Sequence, residues 1–155
     1  MTEPVPPMDD DRALPWPARY DLPALLALGA VVLGVLLPTL GVWEPWEADN
    51  AGVARLMRET GAWLSVQVPE VGGRVRAVPE LPFGWWPVAA TTGLFGVNEI
   101  GLRLPGVLAG LGVMWLVIGL TRRTFGRLAG LLAGLSLLSL PLFVFHTRLA
   151  LGAGL

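Results

Sequence analysis

The sequence contains no cysteine and no lysine, a single histidine and a single tyrosine. Without cysteine there is neither a disulfide nor a thiolate metal site. One histidine, His146, cannot build a histidine-based zinc site alone. Charge is also scarce: 15% of the 155 residues are charged, against about a quarter in an ordinary soluble domain. Eleven arginines nearly balance twelve acids, for a net charge of −1, so bulk electrostatics gives no case for nucleic acid as a partner. What the chain has in abundance is apolar surface, with 54% hydrophobic residues.

The charges are absent from three long stretches. No charged residue occurs over 22–43, 104–121 or 128–147. At a rise of about 1.5 Å per residue, about 20 residues cross the hydrocarbon core of a bilayer. The three runs are therefore predicted as transmembrane helices, which makes the fold class all-α, an integral membrane protein of about three spans. Residues 1–21, with five prolines, Asp9–Asp10–Asp11, Arg12 and Arg19, read as a disordered cytoplasmic tail. The first apolar run is read as an anchor; a cleaved signal peptide would have a shorter apolar region and a small-residue cleavage site.

Residues 44–103 form the loop after the first span. Over 47–62, apolar Val53, Leu56 and Met57 stand against Arg55, Arg58 and Glu59, the spacing of a short amphipathic helix on a surface. Pro69, Gly72 and Gly73 then break the chain. Residues 81–98 are uncharged but carry Pro82, Pro87, Gly93, Gly96 and the pair Trp85–Trp86, so they are read as a helix at the membrane–water interface rather than a fourth crossing. Gly106, Gly110 and Gly112 allow close helix packing. The short Arg122–Arg127 turn is expected on the cytoplasmic side by the positive-inside tendency, with the N-terminus inside and 44–103 outside. Gly152 to Leu155 end on no terminating motif, and the chain is read as truncated.

The run Trp43–Glu44–Pro45–Trp46–Glu47, continuing to Trp63, resembles the first loop of GT-C membrane glycosyltransferases of the family 39 type, which includes protein O-mannosyltransferases and aminoarabinose transferases. Leu94–Phe95–Gly96–Val97–Asn98–Glu99, Arg103–Leu104–Pro105, the turn 121–134 and the run 146–151 resemble further family motifs in the family's order. The resemblance implies sugar transfer from a polyprenyl phosphate to a glycan, lipid or protein acceptor on the outer face of a membrane, the bacterial inner membrane being expected. It implies that this chain is the N-terminal portion of such an enzyme and inactive alone. The chemistry needs a carboxylate to take the acceptor's proton and cations beside the lipid phosphate.

Glu47 falls on the second position of the family's acidic pair and is the first candidate catalytic carboxylate, with Asp49 second. Acids in a first helical turn are also favoured by the helix dipole alone. Trp46 replaces the first acid of the pair. Glu80 stands where the family has a lysine, so Arg74 and Arg76 are the candidate phosphate ligands, since guanidinium suits phosphate; as loop residues they are equally suited to solvent or lipid headgroups. Ala153 stands where the family has an acid. His146 is expected to be neutral and hydrogen-bonded, and Arg148 to snorkel to the interface. Trp43, Trp63, Trp85 and Trp86 are expected to anchor at the interface. No metal site and no cofactor is required by the sequence, although a divalent metal is compatible with it. Two other readings compete: a degenerate, non-enzymatic membrane partner, and a transporter fragment with 81–98 as a broken helix.

Overall fold

The computed structural model describes residues 15–35, 46–70, 72–79 and 81–148. Three apolar columns form an antiparallel bundle: α1 (Asp21–Gly34) and the consecutive pair α5 (Arg127–Ser139) and α6 (Pro141–Arg148) run one way, and α4 (Glu99–Phe125) runs the other. The pairings fix these directions. Asp21 meets Arg122 and Arg127 at one end, and Leu33 packs on Val107 toward the other. Gly130 backs onto Arg122, Gly134 onto Ile118, and Gly110 onto Thr147. A methyl group added at Gly110 would lie 2.7 Å from Thr147 Cγ2, so the small residue is what allows α6 to approach. Leu25, Met114 and Ile118 fill the middle.

Among the described residues, α4 is the helix long and apolar enough to cross a bilayer by itself, with a mean hydropathy of 1.9 over its apolar window. It begins earlier than the predicted 104. Asn98 caps it, its Oδ1 accepting from the Gly101 amide at 2.8 Å, with Glu99 at the positive end and Arg122 and Arg123 at the negative end. Pro105 therefore lies inside the helix. Its missing N–H orphans the carbonyl four residues back, that of Gly101. A neighbouring helix supplies the replacement: the Thr91 hydroxyl lies 2.6 Å from the Gly101 oxygen. Thr91→Val keeps the shape and removes that donor, and is expected to destabilise the protein by about 1–2 kcal/mol, read as a lower denaturant midpoint in mixed micelles.

The third apolar run, predicted as one helix over 128–147, is two. α5 and α6 meet at a bend of 66°. Pro141 disfavours helical geometry at the residue before it, and Leu140 is extended (φ −80°, ψ 110°). The first apolar helix starts at Asp21 rather than Leu22, preceded by a 3-10 turn over Ala18–Tyr20. The tail boundary at residue 21 is thereby corrected: Trp16, Ala18 and Asp21 are held by hydrogen bonds to α4 and α5. Residues 1–14, and residues 36–43 of the predicted first span, lie outside the described part.

The loop folds into a small cap on the far end of the bundle. It comprises α2 (Trp46–Thr60), the strands β1 (Val66–Pro69) and β2 (Val75–Val78), a 3-10 turn over Pro82–Gly84, and α3 (Trp86–Phe95). The hairpin corrects the all-α expectation. The strands are antiparallel with Val66 opposite Val78 and Pro69 opposite Val75, and Gly72 and Gly73 supply the positive φ of the turn. α2 buries Val53 and Met57 against Val66 and Trp85, and Ala54 against Val88, Ala89 and Leu102. Trp85 is thus a core residue and not an interfacial anchor; its indole N–H donates to Asn50 Oδ1 at 2.9 Å. Trp86 and Trp63 are exposed, with the Trp86 N–H on the Trp63 carbonyl.

Candidate functional site

The site predicted from sequence lies on the cap. α2 presents Glu47 and Asp49 in its first turn, two residues apart and hence on opposite sides of the helix. Glu47 turns inward and is 1% exposed. Arg103, 3% exposed, reaches it from α4 as a two-pronged pair, Nε to Oε1 at 2.9 Å and the terminal nitrogen to Oε2 at 2.7 Å. A carboxylate whose two oxygens both accept from one guanidinium is held in a fixed orientation. Asp49 is exposed and faces away from this pair.

Arg74 and Arg76 are exposed on the hairpin. Arg76 pairs with Glu70 at 3.0 Å, whereas Arg74 has no ion pair among the described residues. No hydrogen bond or ion pair among the described residues joins Asp49 to either arginine. The packing nevertheless carries the hairpin to the Asp49 face of α2. A side chain at Gly52, one turn beyond Asp49, would strike Pro69 Cγ at 2.7 Å. Pro69 closes β1, and the Glu70 amide donates to the Arg74 carbonyl across the turn.

Other predicted residues fall outside this arrangement. His146 is exposed on α6, its Nδ1 donating to the Leu142 carbonyl at 2.9 Å. Arg148 donates to the carbonyl of Val35, at the end of α1, and so ties two columns of the bundle together instead of reaching out to headgroups. Arg58 donates to the Thr92 carbonyl near the end of α3 and, with Arg55, Glu59 and Val97, lines an open cleft of about 320 Å³ that includes none of the predicted site residues. Trp43, Glu80 and Ala153 lie outside the described residues. Among those described, no three His, Asp or Glu residues gather to hold a metal.

The partner that sequence reasoning missed is Arg103. It missed a second buried pair as well: Asp21 takes two hydrogen bonds from Arg127, at 2.6 and 3.0 Å, and one from the Trp16 indole at 2.7 Å. For the second pair the sequence holds a signal, though not a local one. Charges at the edge of apolar runs that face a bundle interior pair with one another, and Asp21 and Arg127 open runs that start from the same end of the bundle.

The sequence model of the dolichyl-phosphate-mannose-protein mannosyltransferase family matches residues 77–152. An uncharacterised protein of Aquifex aeolicus (strain VF5) is 34% identical over 110 residues, 70% of this chain and 21% of that one. The crystal structure of ArnT from Cupriavidus metallidurans bound to undecaprenyl phosphate superposes with a TM-score of 0.69 at 26% identity, covering 84% of this chain and 23% of that one. The chain thus spans between a fifth and a quarter of the length of these relatives. In sequence over residues 77–152 and in fold over most of its length, the chain is similar to GT-C membrane glycosyltransferases.

Proposed function

We propose that this chain forms the first spans and the first outer loop of an enzyme that transfers a sugar from a polyprenyl phosphate to an acceptor on the extracytoplasmic face. α1, α4 and the bent pair α5–α6 are the spans, with the Arg122–Arg127 turn cytoplasmic and the cap outside. The observation that carries the reading is the Glu47–Arg103 pair. It fixes α2 to the membrane helix α4 and leaves Asp49 on the open side of α2. In this reading Asp49 is the carboxylate that takes the acceptor's proton, Glu47 positions α2 through Arg103, and Arg74 and Arg76 attract the lipid phosphate. The similarity to a transferase that binds undecaprenyl phosphate supports that class of donor.

The experiment uses the longest natural protein that contains this sequence. Asp49→Asn is expected to lower sugar transfer from an undecaprenyl-phosphate donor by about 10²–10⁴-fold with no change in stability, because the side chain is exposed. Unchanged transfer removes Asp49 from the mechanism. The 155-residue chain alone is expected to transfer no sugar, and measurable transfer by it contradicts the proposal.

A second reading has its own observation. Trp46 replaces one acid of the family's pair, and the remaining acid is consumed by Arg103. A non-enzymatic relative that keeps the fold as a membrane partner meets both facts. It predicts a longest natural form that transfers no sugar even before mutation.

A further inference from the structure

At the end of the bundle opposite the cap, the structure sorts four arginines into two pairs. Arg127 and Arg122 turn inward, onto Asp21 and onto the carbonyls of Trp16 and Ala18. Arg19 and Arg123 face outward, and among the described residues neither meets a carboxylate. Arg19 lies over the Tyr20 ring at 4.8 Å and donates to its hydroxyl at 2.9 Å. Four arginines are therefore set against one described acid, Asp21, which is itself buried. Large aromatic rings stand around the outward pair: Trp16, Tyr20 and Phe125 are 45%, 50% and 75% exposed. The Trp16 N–H is already satisfied by Asp21 at 2.7 Å, so its ring enters an apolar layer without an unpaired donor.

We propose that this collar is a binding surface for anionic phospholipid, with Arg19 and Arg123 on the headgroup phosphate and Trp16, Tyr20 and Phe125 at the level where headgroup meets acyl chain. Among the described residues the charge excess favours an anionic partner, and guanidinium meets phosphate through two parallel hydrogen bonds. Exposed aromatic rings beside basic residues at a helix end are the composition that a membrane–water boundary favours. Arg122 and Arg127 cannot serve in the same way, because Asp21 and the backbone carbonyls already engage them. The surface depends on the bundle crossing a membrane and not on sugar transfer.

The test reconstitutes the full chain in nanodiscs of equimolar phosphatidylcholine and phosphatidylglycerol, and counts the lipids retained by native mass spectrometry. The wild type is expected to retain phosphatidylglycerol in preference to phosphatidylcholine. Arg19→Gln with Arg123→Gln is expected to weaken that retention by about fivefold per arginine, without loss of helix content by circular dichroism. Arg55→Gln, which removes an exposed arginine from the cap, is expected to leave it unchanged. Equal retention of the two lipids by the wild type overturns the proposal. So does wild-type retention by the double variant, or an equal loss in Arg55→Gln.

Discussion

Arg103→Ala is expected to destabilise the chain by about 3–5 kcal/mol, the usual cost of removing one partner from a buried ion pair, measured as the loss of unfolding free energy in mixed micelles. The cost comes from both sides of the pair. Glu47 is left buried without its cation, and the link between α2 and α4 is lost. Glu47→Gln is expected to fail in the same direction, since an amide offers Arg103 one acceptor and no charge. The paired replacement Glu47→Leu with Arg103→Met is expected to recover most of the stability, because well-packed apolar side chains often replace a buried ion pair at little cost. Wild-type stability in Arg103→Ala would mean that the pair contributes nothing, and that α2 is held by its apolar face alone. Combined with Asp49→Asn the prediction separates two roles: Asp49 is expected to affect transfer without stability, and Glu47 and Arg103 are expected to affect both.

Asp21→Ala is expected to cost about 3 kcal/mol by the same argument, at the opposite end. One small carboxylate there accepts from Trp16 and twice from Arg127, with Arg122 at 3.9 Å. Removing it leaves the Arg127 guanidinium buried without its acid and frees the segment that carries Trp16. A direct readout is trypsin, which cleaves after Arg19. Cleavage there is expected to rise in the variant while cleavage at Arg55, on the cap, is unchanged. Equal protection of Arg19 in the two proteins would show that the turn over Ala18–Tyr20 is held by other contacts.

The spacing of the two charge clusters matches the proposed membrane crossing. From Arg103 to Arg122 along α4 the rise is about 28 Å, close to the hydrocarbon thickness of about 30 Å. In the proposed topology both buried pairs sit at the edges of the slab and face the bundle interior, where ionisable side chains at such depth are tolerated when paired. Between them the bundle is apolar, with glycines at the close approaches.

The sequence by itself determined the apolar stretches, the basic turn and the amphipathic α2, because each is written locally. A bare stretch of about 20 residues, a cluster of arginines and a 3.6-residue period need no knowledge of neighbours. The likeness to GT-C glycosyltransferases was readable too, from short motifs in a fixed order. Only the tertiary structure decided the partners. Glu47 and Arg103 are 56 residues apart, and Asp21 and Arg127 are 106 apart, so nothing in the local pattern said that the expected catalytic acid would be tied to α4 or that the assumed tail would hold a buried carboxylate. The same applies to Pro105, which a helix accepts here because Thr91 of α3 donates to the carbonyl it orphans. The hairpin and the Pro141 bend fall between these cases: their Gly and Pro residues were visible, but the strand pairing and the two-part third column depended on what packed beside them.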